Sequence, residues 1–491
     1  RLMKIKRILF PDQLGDHFIN DHDGDIIILI SKEDMWARKM HRAKAQWWLS
    51  AIWHKKHELG KRCQVLEVNS VKDFVNSFKE KASVIAPTSY KARKAFLNKD
   101  NFIKLSSRGF VLSEKDFAEW IGRRENKKLK LEDFYRFQRV FHSVLVDGKE
   151  NPIGGAWNFD HENRLPPPKN VKTLDLEKPY YPKEDEIDDF ARKEIKRLEK
   201  EGYEFIGSDT QRVFAATEKE ANKLLKNFFE TRLKNFGPYE DASLIDDWHM
   251  SHSLLSAPLN IGLLDPLKVV KEAEKELKNK APIASVEGFI RQILGWRDYI
   301  WHLYWYFGED YVTENNHLNA KKNLHLWLEN LDATKLKANC LSHVVRDLNQ
   351  RAWVHHIQRL MILGSWCMQQ GINHKDLVDW FDRAFIDGHP WVMAANVIGM
   401  SQYADGGKMS TKPYTSGGSY INKMSNFCSS CVYKPDVRVG EEACPFTAGY
   451  WKFIHQHQDK FKKNIRMSQS VNGLKRLKDL NQLLSEKSNT N

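Results

Sequence analysis

Four cysteines have a spacing that suits metal binding. Cys428 and Cys431 form a Cys-x-x-Cys pair, Cys444-Pro445 follows after twelve further residues, and Cys340 lies well upstream. Two thiols on one tight turn can reach the same ion, and four sulfur ligands suit either tetrahedral Zn²⁺ or a 4Fe–4S cluster. The spacing alone leaves zinc and iron–sulfur both open. It also requires the chain to fold back, so that Cys340 can join the C-terminal cysteines.

The cysteines also allow interpretations other than metal binding. An isolated Cys-x-x-Cys pair can be redox-active or have no function. Cys63 and Cys367 lie in apolar surroundings, so we predict that both are small buried hydrophobic side chains.

Composition limits the class of protein. The chain has 491 residues, which implies roughly two to four domains, and its formal net charge is +13. That charge favours a polyanionic partner such as nucleic acid, although a generally basic surface would give the same number. The 16 tryptophans can pack a core, stack on an aromatic group or relay electrons.

Neither a leader nor a membrane anchor is predicted. Residues 1–10 are too short and too charged for a signal peptide, and no apolar run approaches the ~18 residues of a membrane span. We therefore expect a cytoplasmic protein whose cysteines are reduced.

The first ~135 residues alternate strand-like and helical stretches. This alternation predicts an α/β, Rossmann-like domain with a parallel sheet, although no Gly-x-Gly-x-x-Gly motif is present. The stretch 35–57 is predicted as a helix, and the loop Pro11–Asp16 after the first strand is a candidate ligand rim. The predicted strands are Ile5–Phe10, Asp25–Ile30, Gln64–Val68, Ser83–Ala86 and Gly109–Leu112.

A linker and a helical region follow. Residues 145–185 are rich in proline and glycine, the charged stretch 184–201 is predicted to be a solvated helix, and helical periodicity dominates after about residue 215. Residues 399–426 are predicted as a loop and 474–484 as an amphipathic helix. We predict an α/β domain over 1–135, a linker over 136–215 and an all-helical domain over 216–491.

Two stretches of the helical region could do chemistry. Ser253–Asn260 offers hydroxyls near a helix start, which can bind phosphate but are also common helix caps. Trp353–Met361 is predicted as a helix in which His355 and His356 point about 100° apart. One of these histidines can then face a cavity while the other packs in the core.

Several motifs together resemble the photolyase/cryptochrome superfamily, and more narrowly its iron–sulfur bacterial cryptochromes and prokaryotic (6-4) photolyases. The motifs are Pro152-x-Gly154-Gly155-x-Trp157-Asn158-Phe159-Asp160-x-x-Asn163-Arg164, Ser253–Asn260, Gln292–Arg297, His355-His356, Ala404–Gly407, Lys412–Tyr414 and the four cysteines. The resemblance extends from the first strand past residue 450. It implies that the larger helical domain binds FAD and that the cysteines Cys340, Cys428, Cys431 and Cys444 hold a 4Fe–4S cluster.

The resemblance also implies roles for individual residues. Arg359 and Asp387 would form an ion pair against the flavin ring, and Trp380 would lie on the path of electrons to it. Phe381 follows Trp380 where relatives can have Tyr, so the rest of this path stays open. The other residues expected at the FAD or beside it are Ser253, Ser256, Asn260, Trp296 and Arg297.

The implied reaction is light-driven repair of (6-4) pyrimidine–pyrimidone lesions in UV-damaged DNA. An electron would pass from photoexcited reduced FAD to a flipped-out lesion, His356 would donate a proton, and the electron would return. His355 and Tyr414 are further candidate catalytic residues, and Lys408 and Lys412 are candidate DNA contacts. A monomer is expected. The need for a divalent cation such as Mg²⁺ in lesion binding is left open.

An antenna is also implied by the resemblance. 6,7-Dimethyl-8-ribityllumazine would bind in the α/β domain, with Asp12, Gln13 and Glu33 as its contacts. Two alternative functions remain: a blue-light-sensing cryptochrome without repair activity, and a light-independent iron–sulfur protein that binds nucleic acid. A third alternative, a zinc-binding scaffold protein, has the four thiols as its only support.

Overall fold

The N-terminal part of the chain is built on one parallel sheet. The computed structural model describes residues 4–124 and 127–487. Within these residues the sheet has the strand order β3-β2-β1-β4-β5, and every neighbouring pair is parallel. The strands are β1 Lys6–Leu9, β2 Ile26–Ser31, β3 Cys63–Val68, β4 Ala82–Ile85 and β5 Phe102–Leu105. Strand order reverses between β1 and β4, so the loops after these strands flank a crevice that suits a ligand.

The fifth predicted strand was wrong. Gly109–Leu112 lies outside the sheet, and its place is taken by β5. Gly109 has a φ of +90°. The amides of Val111 and Leu112 donate to the carboxylate of Asp298, at 2.8 and 2.9 Å, instead of to a neighbouring strand. This short apolar run therefore connects the N-terminal α/β part of the chain to Asp298 of the helical part, instead of forming a strand.

Helices cover the sheet and continue into the linker. The predicted helix over 35–57 is observed as Arg42–Leu59, after a separate short turn. The helix predicted to be solvated is Glu186–Lys200, and this description was wrong in part: it buries Ala191, Ile195 and Leu198. The helices up to residue 200 are Lys32–Met35, Arg42–Leu59, Val71–Ser77, Tyr90–Ala95, Glu114–Gly122, Leu131–Phe141 and Glu186–Lys200.

After residue 215 the described chain is helical, as predicted. The α-helices are Glu218–Thr231, Leu233–Phe236, Ser256–Asn260, Pro266–Lys275, Ile283–Ile290, Asp298–Phe307, Tyr311–Glu314, Leu326–Glu329, Asn339–Arg351, Ser365–Gln370, His374–Ala384, Pro390–Met393, Gly418–Met424, Pro445–Gln456, Gln458–Phe461, Ser468–Leu474 and Leu480–Ser485. Wider π-helical turns cover Arg291–Arg297, Gln358–Gly364 and Ala394–Ser401. Such turns often occur at functional sites. The domain boundaries at 135 and 215 stay predictions.

Three local predictions in this region need correction. The predicted helix Trp353–Met361 is broken, because Ala352 adopts a left-handed conformation with φ +56° and Trp353–His355 are not helical. The predicted loop over 399–426 contains helix Gly418–Met424. The predicted helix over 474–484 is divided between two short helices, Ser468–Leu474 and Leu480–Ser485.

The cores pack these elements together. One apolar cluster joins the sheet to the linker and the first helices of the helical region. A second surrounds Cys340, Trp366 and Trp380. None of the helices in the described ranges has the length and apolar character that a membrane crossing requires.

Candidate active site

An ion pair lies at the centre of the helical region. Arg359 and Asp387 form two hydrogen bonds of 2.7 and 2.9 Å, and Arg359 also donates to the carbonyl of Val354 at 2.7 Å. The Asp387 side chain is 6% exposed. Burial alone would raise the pKa of Asp387, but the Arg359 guanidinium and the Ser256 hydroxyl together lower it. The carboxylate is therefore held in its charged form.

The ion pair extends into a polar network. Ser256 Oγ donates to Asp387 Oδ2 at 2.7 Å, and Asn260 Nδ2 donates to the Asp387 carbonyl at 2.9 Å. Arg297 Nε donates in turn to Asn260 Oδ1 at 3.1 Å. The structure thus brings together five of the residues that sequence analysis selected. They come from segments separated by as many as 131 residues.

The Arg297 end of the network is aromatic. The guanidinium of Arg297 lies 4.8 Å from the ring centroid of Phe110 and 5.3 Å from that of Trp391. Burial lowers the pKa of Arg297 to about 10. This is an environment of flat faces and fixed hydrogen-bond donors.

The other predicted cofactor residues of the helical region lie outside the network. Ser253 Oγ accepts a hydrogen bond from the amide of Leu255 at 3.3 Å, and Trp296 is half-buried. Trp380 is fully buried and donates to the Leu328 carbonyl at 3.0 Å. Its ring lies 5.7 Å from that of Phe385, over which Arg359 sits at 4.4 Å. Trp380 is therefore connected to the ion pair through one aromatic ring.

His356 and Asp241 form a partly exposed pair nearby, with the rings of His252 and His355 beside His356, and we call the surface that these four residues form the recess. His356 Nε2 lies 2.9 Å from Asp241 Oδ1, and the His356 side chain is 48% exposed. The recess withdraws water and would by itself lower the pKa of His356, but the hydrogen bond and negative charge of Asp241 raise it. His356 is therefore equipped to hold a proton near neutral pH while its ring remains accessible.

His355 has a different environment. It is 1% exposed and bonded to Ser243 Oγ at 2.8 Å, and its ring stacks on that of His252 with centroids 4.8 Å apart. Burial lowers the pKa of both His355 and His252 well below the ordinary value. The two rings are neutral and form the wall behind His356. Of the two adjacent histidines, His356 is therefore the accessible one.

Two tyrosines lie near further charged side chains on this side of the molecule. Burial raises the pKa of Tyr414. Its charged neighbours are Arg164, Asp160 and Arg466. Burial likewise raises the pKa of Tyr420 to about 12, and there the neighbouring charges are Asp241 and Arg164. Tyr414 and Tyr420 thus share Arg164 as a neighbour, and Tyr420 also lies near Asp241, the partner of His356.

Sequence reasoning missed Asp241, Tyr420 and the neighbouring Glu240. Glu240 is 6% exposed, and burial raises the pKa of its carboxyl to about 8, above the opposing effects of His356 and Arg291. Two acidic residues after a turn look like any solvated loop in a sequence. The chain position of His356 lies 115 residues from Asp241, so no local pattern could have indicated the pair.

Replacing Glu240 with glutamine is expected to remove a pH-dependent destabilisation. A buried carboxyl with a raised pKa binds a proton in the folded state after the unfolded chain has lost its own, so folding stability falls as pH rises from about 4.5 to about 8. Glu240→Gln and the parent should have equal free energies of unfolding near pH 4, whereas the variant should be more stable by about 3 kcal/mol at pH 7. Chemical denaturation across this range measures the difference. Parallel stability curves would contradict it.

The four predicted cysteine ligands line one cavity. Its other walls are mostly apolar and include Ile421, Phe427 and Phe446. None of the four is in a disulfide. Burial and the neighbouring thiols raise the pKa of Cys428 to about 12, and burial raises the pKa of Cys340 and Cys444 as well. Four converging thiols in an apolar pocket need a cation to be stable as thiolates, so this donor set fits a metal cluster. The residues lining the cavity are Ala338, Cys340, Gly418, Ile421, Phe427, Cys428, Cys431, Tyr433, Pro435, Cys444, Pro445 and Phe446.

The predicted antenna residues lie at the end of the sheet where strand order reverses. Asp12 accepts a hydrogen bond from Thr88 at 2.5 Å, and burial raises its pKa to about 6. Gln13 is 1% exposed and accepts from the Phe10 amide at 3.1 Å, so it braces the loop. Glu33 is exposed and pairs with Lys91 at 2.9 Å. Asp12 and Gln13 are internal and Glu33 is on the surface.

The two predicted DNA-contacting lysines are exposed. Lys408 and Lys412 lie on the segment between Gly407 and Tyr414. They are therefore placed on the same surface segment as Tyr414.

Comparison with known proteins decides the family. Residues 7–214 match the family model described as deoxyribodipyrimidine photo-lyase-related protein. A relative named (6-4) photolyase, from Agrobacterium fabrum (strain C58 / ATCC 33970), is 41% identical over 368 residues, which are 74% of this chain and 69% of the relative. The chain belongs to the (6-4) photolyase family. The fold is thus that of a photolyase-family protein.

Solved structures of this superfamily share the fold. A bacterial class III photolyase from Agrobacterium tumefaciens matches with a TM-score of 0.55 and 15% identity, and the match covers 86% of each chain. A cryptochrome from Synechocystis sp. PCC6803 matches with a TM-score of 0.59 and 12% identity, again over 86% of each chain. Both confirm the predicted arrangement of an α/β domain and a helical domain.

Two buried histidine nitrogens near the polar network have no hydrogen-bond partner that the structure describes, and a bound flavin could supply one. His389 Nε2 and His252 Nε2 are buried and have no hydrogen-bond partner within the residues that the structure describes. The charges of Asp387 and Arg297 act on His389, which places it beside the network. Buried polar atoms without partners are costly, so these ring nitrogens suit a bound group with polar atoms of its own. The residues present fit FAD.

Removing the carboxylate of Asp387 is expected to release this flavin. Asp387→Asn would leave Arg359 with a buried charge that has lost its partner, at a cost of about 3–5 kcal/mol. We expect the purified variant to retain much less FAD per protein, measured by absorbance after denaturation, and to unfold at lower denaturant concentration. Asp376→Asn is the matched control, because that side chain is exposed on helix His374–Ala384. Equal FAD content in both variants would contradict the assignment.

Proposed function

We propose that the protein is a light-driven DNA repair enzyme that uses FAD to repair (6-4) pyrimidine–pyrimidone lesions. The observation that carries the proposal is the His356–Asp241 pair in a recess beside the Arg359–Asp387 network. The named (6-4) photolyase relative supports the choice of lesion.

FAD would be held by the network that Arg359, Asp387, Ser256, Asn260 and Arg297 form. When bound in its reduced, photoexcited form, FAD supplies the electron that opens the lesion. Asp387 fixes the Arg359 guanidinium with two hydrogen bonds, so a positive charge stays in place at the cofactor. Ser253 and Trp296 are further proposed contacts, and Trp380 is the proposed internal donor on the route to the flavin.

His356 is the proposed proton donor to the lesion. Asp241 accepts a hydrogen bond from one ring nitrogen and favours the protonated ring, so the other nitrogen can donate to a base in the recess. Bases inside a duplex cannot reach a recess, so the lesion must be flipped out of the stack. His355 would support the ring from behind, and Tyr414 is a further proposed contact of the flipped lesion.

Binding of damaged DNA is assigned to the basic surface. Lys408 and Lys412 are proposed phosphate contacts, and the net charge of +13 suits a polyanion. Affinity should therefore fall as salt concentration rises. A divalent cation such as Mg²⁺ is proposed to assist lesion binding.

Two further cofactors complete the proposal. Cys340, Cys428, Cys431 and Cys444 would hold a 4Fe–4S cluster that ties helix Asn339–Arg351 to the C-terminal segment. The lumazine antenna would bind at the crevice of the sheet, near Asp12, Gln13 and Glu33, and pass excitation to the flavin.

Two measurements test the proposal together: release of FAD on denaturation, and binding of lesion-containing DNA in the dark. The purified protein should release FAD on denaturation and bind a duplex with one (6-4) lesion more tightly than the undamaged duplex in fluorescence anisotropy. A preparation without flavin would contradict the proposal. A flavoprotein without lesion preference would instead support the signalling alternative.

A further inference from the structure

One apolar side chain projects into solvent on a turn attached to the segment that contains Lys412 and Tyr414. Ile465 is 91% exposed, the highest value among the large hydrophobic residues that the structure describes. It begins the short turn Ile465–Met467, which Asn464 caps by accepting from the Arg466 amide at 3.0 Å. Met467 is buried at the other end of the turn. The isoleucine is thus presented by a short turn with anchored ends.

A hydrogen bond places this turn beside the segment of Tyr414, the proposed lesion contact. Asn464 Nδ2 donates to the Thr411 carbonyl at 3.0 Å, which attaches the turn to the segment containing Lys412 and Tyr414. The charge of Arg466 acts on the Tyr414 hydroxyl, as does that of Arg164 from the linker. The turn that presents Ile465 therefore adjoins the segment of Lys412 and Tyr414.

The surface around Ile465 is cationic. Lys463 and Arg466 flank it within two residues and are exposed, and Lys412 and Arg164 are exposed on the neighbouring segments. Lys462 also points outward, where it pairs with the exposed Asp459 at 3.1 Å. A fully exposed isoleucine among several positive charges suits a polyanion that also offers an apolar surface. Duplex DNA with unstacked bases has both properties.

We propose that Ile465 inserts into the duplex at the lesion, in the gap left by the flipped nucleotides, while Lys463 and Arg466 bind flanking phosphates. This inference rests on the proposed repair function and deepens it. Flipping a lesion leaves the neighbouring base pairs without a stacking partner, and unstacking costs a few kcal/mol per step. An apolar side chain in the gap restores contact with these bases and excludes water. A single strand has no such gap to fill.

A comparison of double-stranded with single-stranded substrate tests the inference. Ile465→Ala, in the full-length protein with its cofactors, should raise Kd for a duplex with one (6-4) lesion about tenfold. Its Kd for the same lesion in a single-stranded oligonucleotide should not change. Leu97→Ala is the control, because Leu97 is another exposed apolar side chain but belongs to the α/β domain. It should leave the Kd for the duplex and the Kd for the single strand unchanged. 2-Aminopurine opposite the lesion should report less base opening with Ile465→Ala.

Other outcomes overturn the inference. Equal loss on duplex and single strand would make Ile465 a general contact, and no loss on the duplex would assign the exposed side chain to a different partner. If the parent protein shows no preference for lesion-containing DNA in either form, the proposed function itself fails and the inference fails with it.

Discussion

Replacement of His356 by alanine is expected to lower the rate of (6-4) repair by about 100- to 10,000-fold, the range that a positioned general acid contributes. Binding of the lesion should persist, because the proposed phosphate contacts Lys408 and Lys412 and the rest of the recess remain. The physical reason is that Asp241 raises the pKa of His356, and alanine offers no proton. Single-turnover repair under constant illumination measures the loss, and anisotropy in the dark measures binding.

Two comparisons make this result specific. His57→Ala, an exposed histidine on helix Arg42–Leu59, should repair at the parental rate. Asp241→Asn should lower the pKa of His356, and since only the protonated ring can donate, the alkaline decline of the repair rate should move to lower pH. Full repair by His356→Ala, or an unchanged pH profile for Asp241→Asn, would remove His356 from the proposed role.

Replacement of Cys340 by alanine is expected to have the largest effect on stability. The variant should lose most of its iron and acid-labile sulfide, and its free energy of unfolding should fall by at least about 3 kcal/mol, because cluster binding contributes directly to folding. Cys340 lies on helix Asn339–Arg351, whereas its proposed partners lie after residue 427. Loss of the cluster should therefore release the C-terminal segment, which limited proteolysis would detect.

Cys367 supplies the matched control for this experiment. It is fully buried in the same apolar core but does not line the cysteine cavity. Cys367→Ala should cost only lost packing, about 1 kcal/mol, and keep the iron content of the parent. Zinc in place of iron in the parent protein, or equal iron content in both variants, would contradict the assignment of the cluster.

The sequence allowed much of the fold to be predicted, and the reasons are local. Strand β2 is a nearly continuous apolar run that is buried throughout, which is typical of a parallel sheet buried on both faces. The exchange of Gly109–Leu112 for β5 could not be predicted, because the carboxylate that binds the Val111 and Leu112 amides lies almost 190 residues away, at Asp298. The break at Ala352 was likewise hidden, since alanine normally favours a helix.

The candidate site was predictable where a motif marked its members. The cysteine spacing indicated four ligands of one site, and the resemblance to photolyases brought Arg359 and Asp387 together. Asp241 and Glu240 belong to no motif in the sequence, and only the folded structure shows that they lie beside His356. Long-range pairing of ordinary polar residues therefore limits what sequence reasoning can reach.

Light-dependent turnover of a defined lesion tests the central claim most directly. The reduced protein would be mixed with an excess of an oligonucleotide containing one (6-4) photoproduct, and restored pyrimidines would be counted by chromatography under blue light and in darkness. The account predicts several lesions repaired per protein molecule in the light and none in the dark. Flavin-loaded protein that binds the lesion but restores no pyrimidine under illumination would contradict it.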